Sequence, residues 1–335
     1  MAHHDNPNRG PDGGDLTTDV AWLGPSDAKC VIALVAGVHG VEGFCGSAAQ
    51  LDWLENGGPQ NLPEGMAAIL IHAINPHGFA WQRRVTEENV DLNRNFADFA
   101  QKLPENPGYG EVHDGLLPPS LDEAALKQAE EIIAAYKARH GERAFQYARG
   151  GGQYTHPDGF FFGGNVPTWS RQTLESILAG LDARPRQHVA VIDFHTGLGP
   201  YGYGEPICVH PVGLPAIARA KAWWGESVTE TDAGTSVSTP RLGTAEIGWR
   251  RQFGDRFTYV ALEFGTFSTE RGRVVQRDDH MLHRRGPFDW HDPEARRTKA
   301  AIKRHYIPDT PDWWEMVLFR SRQMIRMGLG GLGTL

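Results

Sequence analysis

Four short apolar runs set the architecture open to this chain: Cys30 to Ala36, Ala67 to Ile74, His188 to Phe194 and Phe257 to Glu263. Each is nearly continuous rather than alternating, the pattern of strands buried on both faces in a sheet covered by helices on either side. Helical spacing follows the first run over Gly43 to Glu55 and recurs over Trp169 to Leu181 and Trp313 to Met327. A further helix is predicted over Ser120 to His140, with Ser120 as cap, Asp122 and Glu123 in its first turn and Gly141 after its end. At 335 residues, with no internal repeat or clean linker, the chain reads as one large α/β domain spanning residues 1–335. Residues 1–28 are polar and rich in Pro and Gly, and the first strand is expected only from Cys30.

Composition narrows the function classes. A net charge of -8 and the lack of a long basic stripe argue against a nucleic-acid partner. Three cysteines, Cys30, Cys45 and Cys208, make no dense disulfide framework and leave one thiol unpaired within a monomer, which points to a reducing compartment. No secretory pattern opens the sequence and no run approaches a membrane span, so a cytoplasmic protein without membrane partners is expected. The sequence sets no oligomeric state.

Chemistry-bearing residues gather where the apolar runs end, the place at which open α/β sheets bind ligands. His39 and Glu42 follow the first run, three residues apart at a turn, and supply two candidate metal ligands. Asn75-Pro-His-Gly closes the second run, and Asp193-Phe-His195-Thr-Gly ends the third with another histidine. Zinc hydrolases hold the metal by three side chains and keep a fourth position for a water whose pKa falls to about 7. His39, Glu42 and His195 meet that requirement. Glu263, at the end of the fourth run, is the candidate general base. Arg84, or its neighbour Arg83, is the candidate stabiliser of the oxyanion that develops on a carbonyl. Asn93 and Arg94, within Asp91-Leu-Asn-Arg-Asn-Phe96, offer an amide and a guanidinium fork suited to a substrate carboxylate.

Taken in order, His39-x-x-Glu42, Arg83-Arg84, Asp91-Leu-Asn-Arg94, the strand-borne His195 and Glu263 resemble the motifs of the zinc carboxypeptidase superfamily, including its succinylglutamate desuccinylase and aspartoacylase branch. The pattern is most similar to a bacterial branch to which no substrate is assigned. The resemblance implies a mixed sheet of about eight strands between helices and one zinc per chain, held by His39, Glu42 and His195. It also implies Glu263 as base, an arginine that polarises the carbonyl, and Asn93 with Arg94 on the substrate carboxylate. The digestive carboxypeptidase pattern offers no counterpart to Arg149-Gly-Gly-Gly-Gln-Tyr-Thr-His-Pro-Asp-Gly-Phe-Phe-Phe-Gly-Gly164. This 149–164 segment is expected to form a substrate loop, with Gln153, Tyr154 and Phe160 to Phe162 lining a pocket.

Competing signals have plainer readings. His280, His283 and His291, beside Asp278 and Asp279, read as a solvated loop rather than a second metal site. Cys45 lacks a nucleophile elbow and reads as helix packing. Gly328-Leu-Gly-Gly-Leu-Gly333 spells a dinucleotide fingerprint, yet too little chain follows it to hold a pyrophosphate. The expected activity is zinc-dependent hydrolysis of an amide bond near a carboxylate, on a peptide or other small molecule. The alternatives are an N-acyl amino acid deacylase of aspartoacylase type, an esterase, and a non-catalytic binding protein that keeps the metal scaffold.

Overall fold

Along the apolar runs, successive residues go to opposite faces of one sheet, as the period of a strand requires. The computed structural model describes every residue from Met1 to Leu335 except Pro185. In chain order its strands are β1 (Ala2–Arg9), β2 (Asp15–Leu23), β3 (Cys30–Val35), β4 (Met66–His72), β5 (His188–Tyr201), β6 (Gly204–Cys208), β7 (Thr229–Glu230) and β8 (Phe257–Gly265). Among the described residues they form one mixed eight-stranded sheet in the order β1-β2-β4-β3-β5-β8-β6-β7. The four central strands, β4, β3, β5 and β8, run parallel, so their carboxyl ends open on one side.

The helices are α1 (Gly43–Glu55), α2 (Pro76–Ala80), α3 (Pro107–Leu116), α4 (Glu123–His140), α5 (Glu142–Gly150), α6 (Trp169–Asp182), α7 (Pro215–Trp224), α8 (Glu246–Phe253), α9 (Thr269–Arg284), α10 (Pro293–Tyr306) and α11 (Pro311–Leu332). One face of the sheet, through Ile32, Leu34, Leu70, Ile192 and Leu262, packs with residues of α1, α7 and α11. The other, through Val31, Ala33, Ile71, Val191 and Tyr259, packs with α6 and α8. A smaller cluster joins α3, α4 and α5 to Phe160 and Phe161. None of the described helices is long and apolar enough to cross a membrane.

Three sequence expectations need correction. The first strand does not wait for Cys30: within residues 1–28, β1 and β2 form an antiparallel hairpin that extends the sheet through β4. As the edge strand, β1 is almost wholly exposed and has no need of apolar residues. The last helix does not stop at Met327 but runs to Leu332, because its glycines permit close packing. A Cβ on Gly331 would stand 2.2 Å from the indole of Trp223.

The histidine-rich stretch before residue 285 is also not a solvated loop. It lies in α9, capped by Ser268, whose side chain accepts from Arg271 N. Asp279 and His280 are buried. Asp279 accepts from Arg83 Nε at 3.0 Å and from Lys299 Nζ at 2.5 Å, joining the segment after α2 to α9 and α10. Burial pushes the Asp279 carboxyl up, but Lys299 and Arg83 outweigh it and hold the group below the usual carboxylate range.

Removing Asp279 would leave two buried cations without a counter-charge. Asp279→Ala is therefore expected to lower stability by about 3–5 kcal/mol in urea unfolding near neutral pH. Because its folded-state pKa is depressed, this contribution is complete above about pH 4 and is lost on further acidification, so the gap between variant and wild type should narrow there.

Candidate metal and active site

The sheet itself aligns His195 with Glu263. They are register partners in the parallel β5–β8 pair, near the carboxyl ends of both strands, and so share one face. Asp193, two residues before His195, lies on that face as well. His39 and Glu42 arrive by a different route: β3 ends at Val35, and a 3-10 turn over Gly40–Glu42 leads into α1. That turn is pinned to the segment after α2, with Gly40 N donating to Arg84 O at 3.2 Å and Val41 N to Arg83 O at 2.8 Å. Glycine is required there, since a Cβ on Gly40 would lie 2.0 Å from the carbonyl carbon of Gly78.

His39, Glu42 and His195 converge. His39 Nδ1 lies 3.1 Å from Glu42 Oε1 and 3.2 Å from His195 Nδ1, and His195 Nδ1 lies 3.3 Å from Glu42 Oε2. Behind the rings, His39 Nε2 stands 3.1 Å from Asp91 Oδ1 and His195 Nε2 stands 2.9 Å from Asp193 Oδ2. Arg84 Nη2 also stands 2.8 Å from His39 Nε2, so Arg84 and Asp91 meet the same ring nitrogen, and a metal ion at the cluster would take the place of any proton on the two Nδ1 atoms. Burial disfavours charge on the His195 imidazole, yet Asp193 and Glu42 overcome it and hold the ring well above its usual pKa. Burial likewise raises the Glu42 carboxyl, while His39 and Arg84 pull it below the ordinary range. Two imidazoles and a carboxylate whose ligand atoms lie within 4.8 Å of one another, each ring backed by a carboxylate, fit a divalent ion.

Adjacent residues Arg83 and Arg84 point apart. Arg84 donates through Nη1 to Glu42 Oε1 at 2.5 Å and through Nε to Asp91 Oδ2 at 3.1 Å, placing its guanidinium beside the cluster. Arg83 bonds Asp279 and Asn89 instead and lies outside the cavity, contrary to its candidacy as a substrate contact. Glu263 accepts from Leu198 N at 3.1 Å. Burial and the Glu42 charge push its carboxyl up to about 8, against the opposing pull of His195 and Arg84.

A single cavity joins these groups, lined by His39, Arg84, His195 and Glu263 together with Asn93, Arg94, Arg149, Arg241 and Tyr306. Asn93 Oδ1 accepts from Ala245 N at 2.8 Å, and its amide nitrogen has no partner among the described residues. Arg94 donates to the carbonyls of Asn93 and Gly150, at 2.6 and 2.9 Å.

The 149–164 segment contributes Arg149, Gly150 and Phe161 to this cavity, but not the two polar residues expected of it. Gln153 Nε2 donates to the carbonyls of His156 and Phe160, while its Oε1 accepts from the N–H groups of Thr155 and His156. Tyr154 donates its hydroxyl to Arg94 O at 2.6 Å. Both hold the loop's shape. The sequence reading assigned no role to Asp91, Asp193, Arg241 or Tyr306. Asp193 was open to inference, because residue i−2 on a strand shares the face of the histidine.

Fold and site together define an α/β protein with a candidate metal centre at the carboxyl ends of parallel strands. Residues 1–320 match the family model described as "Protein of unknown function (DUF2817)", and the chain belongs to that family. No curated protein matches the chain. Among solved structures it is similar to carboxypeptidase A from Helicoverpa armigera, at 12% identity over 99% of this chain and 69% of that one, with a TM-score of 0.46. It is also similar to the murein-tripeptide amidase of Escherichia coli O157, at 14% identity over 90% and 91% of the two chains, with a TM-score of 0.37. Succinylglutamate desuccinylase from Chromobacterium violaceum matches at 14% identity over 93% and 74%, with a TM-score of 0.41.

The raised Glu263 pKa has a measurable sign. The folded state holds a proton that the unfolded chain releases near pH 4, so ionising this carboxyl disfavours the fold as pH rises toward about 8. In protein stripped of divalent ions, Glu263→Gln should gain stability relative to wild type between about pH 5 and about pH 9, by roughly 2–4 kcal/mol. Urea unfolding at the two pH values measures it. A constant difference would place Glu263 in a wetter setting than this one.

Proposed function

We propose that this protein is a zinc-dependent hydrolase that cleaves an amide bond near a carboxylate, in the manner of a carboxypeptidase. The observation that carries this reading is the register pairing of Glu263 with His195, which places a buried carboxylate of raised pKa beside the three-ligand cluster. A structural metal site has no use for such a group. Zinc held by His39, Glu42 and His195 would supply Lewis acidity and lower the pKa of a water molecule.

The remaining steps belong to the chain's own side chains. Glu263 accepts a proton from the attacking water and passes it to the leaving nitrogen as the C–N bond breaks, ending as the carboxylate it began as. Arg84 faces the developing oxyanion, its guanidinium held in place by Glu42 and Asp91 so that little reorganisation is needed. Asn93 offers its free amide N–H groups to the substrate. Asp91 and Asp193 fix the tautomers of the two histidines and orient both rings. Divalent charge at the cluster would draw the Glu263 pKa below its metal-free value, so the acidic limb of the rate profile should fall below about 8.

An aspartoacylase-type deacylase would use the same residues, with the carboxylate again on the amine fragment and a simple acyl group in place of the peptide, and the released amine reports both cases. Purified protein should hold about one zinc per chain, and His39→Ala should abolish that stoichiometry. Glu263→Gln should keep the zinc and lose turnover by a factor on the order of 10² or more. These are read by metal analysis and by amine release from a panel of peptides and N-acyl amino acids. Full activity in Glu263→Gln would remove it as base, and cleavage of esters alone would change the bond type.

A further inference from the structure

Four guanidinium groups line the cavity, and their partners divide them sharply. Arg84 is bound to Glu42 and Asp91. Arg94 has both terminal nitrogens on backbone carbonyls, while its Nε is buried without a partner, so each end of its fork is already partly engaged by the protein. Arg149 places Nη1 on Thr269 O at 3.2 Å and leaves Nη2 without a partner. Arg241 makes one contact, from Nη1 to Thr239 Oγ1 at 3.1 Å, and its Nε and Nη2 are unpartnered among the described residues. No carboxylate lies within ion-pairing distance of Arg149 or Arg241 among the described residues.

The two lie next to each other along one wall. Arg149 is in the last turn of α5, and a Cβ added to the following Gly150 would stand 2.7 Å from Arg241 Nη1. Leu242 N donates to Gly151 O at 2.8 Å, tying the Arg241 loop to the end of α5. A half-buried guanidinium without a counter-charge is costly to hold, and it recovers that cost only when an anion arrives. Burial, then the neighbouring Arg94 charge, brings Arg241 down to about 9. Burial brings Arg149 down to about 10.

We propose that Arg241, with Arg149 beside it, is the anchor for the carboxylate of the substrate, the role that the motif resemblance assigns to Arg94. Arg94 is instead a framing residue that holds the carbonyls of Asn93 and Gly150 in place. The proposal takes from the hydrolase reading only the position of the bond to be cut. Its binding test does not depend on turnover.

The test uses zinc-loaded Glu263→Gln protein and pairs of N-acetyl amino acids with apolar, acidic and basic side chains, each as the free acid and as the primary carboxamide. Calorimetric titration should show the acid binding tighter than its carboxamide by about tenfold or more. Adding Arg241→Gln should erase that discrimination, and adding Arg241→Lys should restore part of it, with the melting temperature unchanged in both. Discrimination that survives Arg241→Gln, or that is absent before it, overturns the proposal. In otherwise unaltered enzyme, Arg241→Gln should raise KM for the acid substrates while leaving kcat within about twofold. If binding behaves as expected but no amide is cleaved, the anchor stands and the hydrolase reading falls.

Discussion

The site depends on a buried electrostatic imbalance maintained from behind. Asp91 and Asp193 each occupy one nitrogen of a histidine, and in doing so they turn the other nitrogen of each ring toward Glu42. Without those aspartates, either ring is free to flip or to pair with Glu42 through a single shared proton. With them, both Nδ1 atoms and the Glu42 carboxylate are aimed at one point, where a cation can replace the imidazole proton. The strand register, the glycine turn at Gly40 and the Arg84 clamp all serve to bring these few atoms together. Coordination set from the second layer of contacts is more robust than coordination set by the ligands alone, because each ring is restrained at both ends.

Much of the fold was legible in the sequence because burial on both faces leaves a continuous apolar trace. The central strands show it, and their order in the chain points to where the ligand end lies. The outer strands do not. β1 is polar because it is an edge, and β7, over Thr229–Glu230, is too short to carry a pattern. Helix α9 escaped for another reason: its buried face mixes Val275, Met281 and Leu282 with Arg273, Gln276, Arg277, Asp279 and His280, so ion pairs and hydrogen bonds share its interior with few apolar side chains. Hydrophobic periodicity cannot see a buried charge network.

The candidate ligands were legible as types at strand ends, but directions were not. Arg83 and Arg84 have the same chemistry and opposite fates, decided by whether Glu42 with Asp91 or Asp279 lies within reach. Gln153 and Tyr154 had the residue types of a binding loop, yet every polar atom of the Gln153 side chain is occupied in keeping that glycine-rich segment in one shape. A buried loop rich in glycine must satisfy its own backbone before it can offer anything to a ligand.

This same reasoning bears on what the cavity can recognise. Satisfied charges contribute geometry, while unsatisfied ones contribute affinity, since only they gain a partner on binding. The Arg84 guanidinium is taken up by Glu42 and Asp91, and both terminal nitrogens of Arg94 by backbone carbonyls, which makes them rigid features of the wall. Rigidity suits Arg84, whose target is charge that appears only during the reaction and must meet a donor already in position. It does not suit the anchoring of an anion that carries its full charge on arrival, for which a fork with open hydrogen-bond positions is needed. Arg241 and Arg149 retain such positions, and the cavity thereby separates the donor that serves the transition state from the donors that hold the substrate.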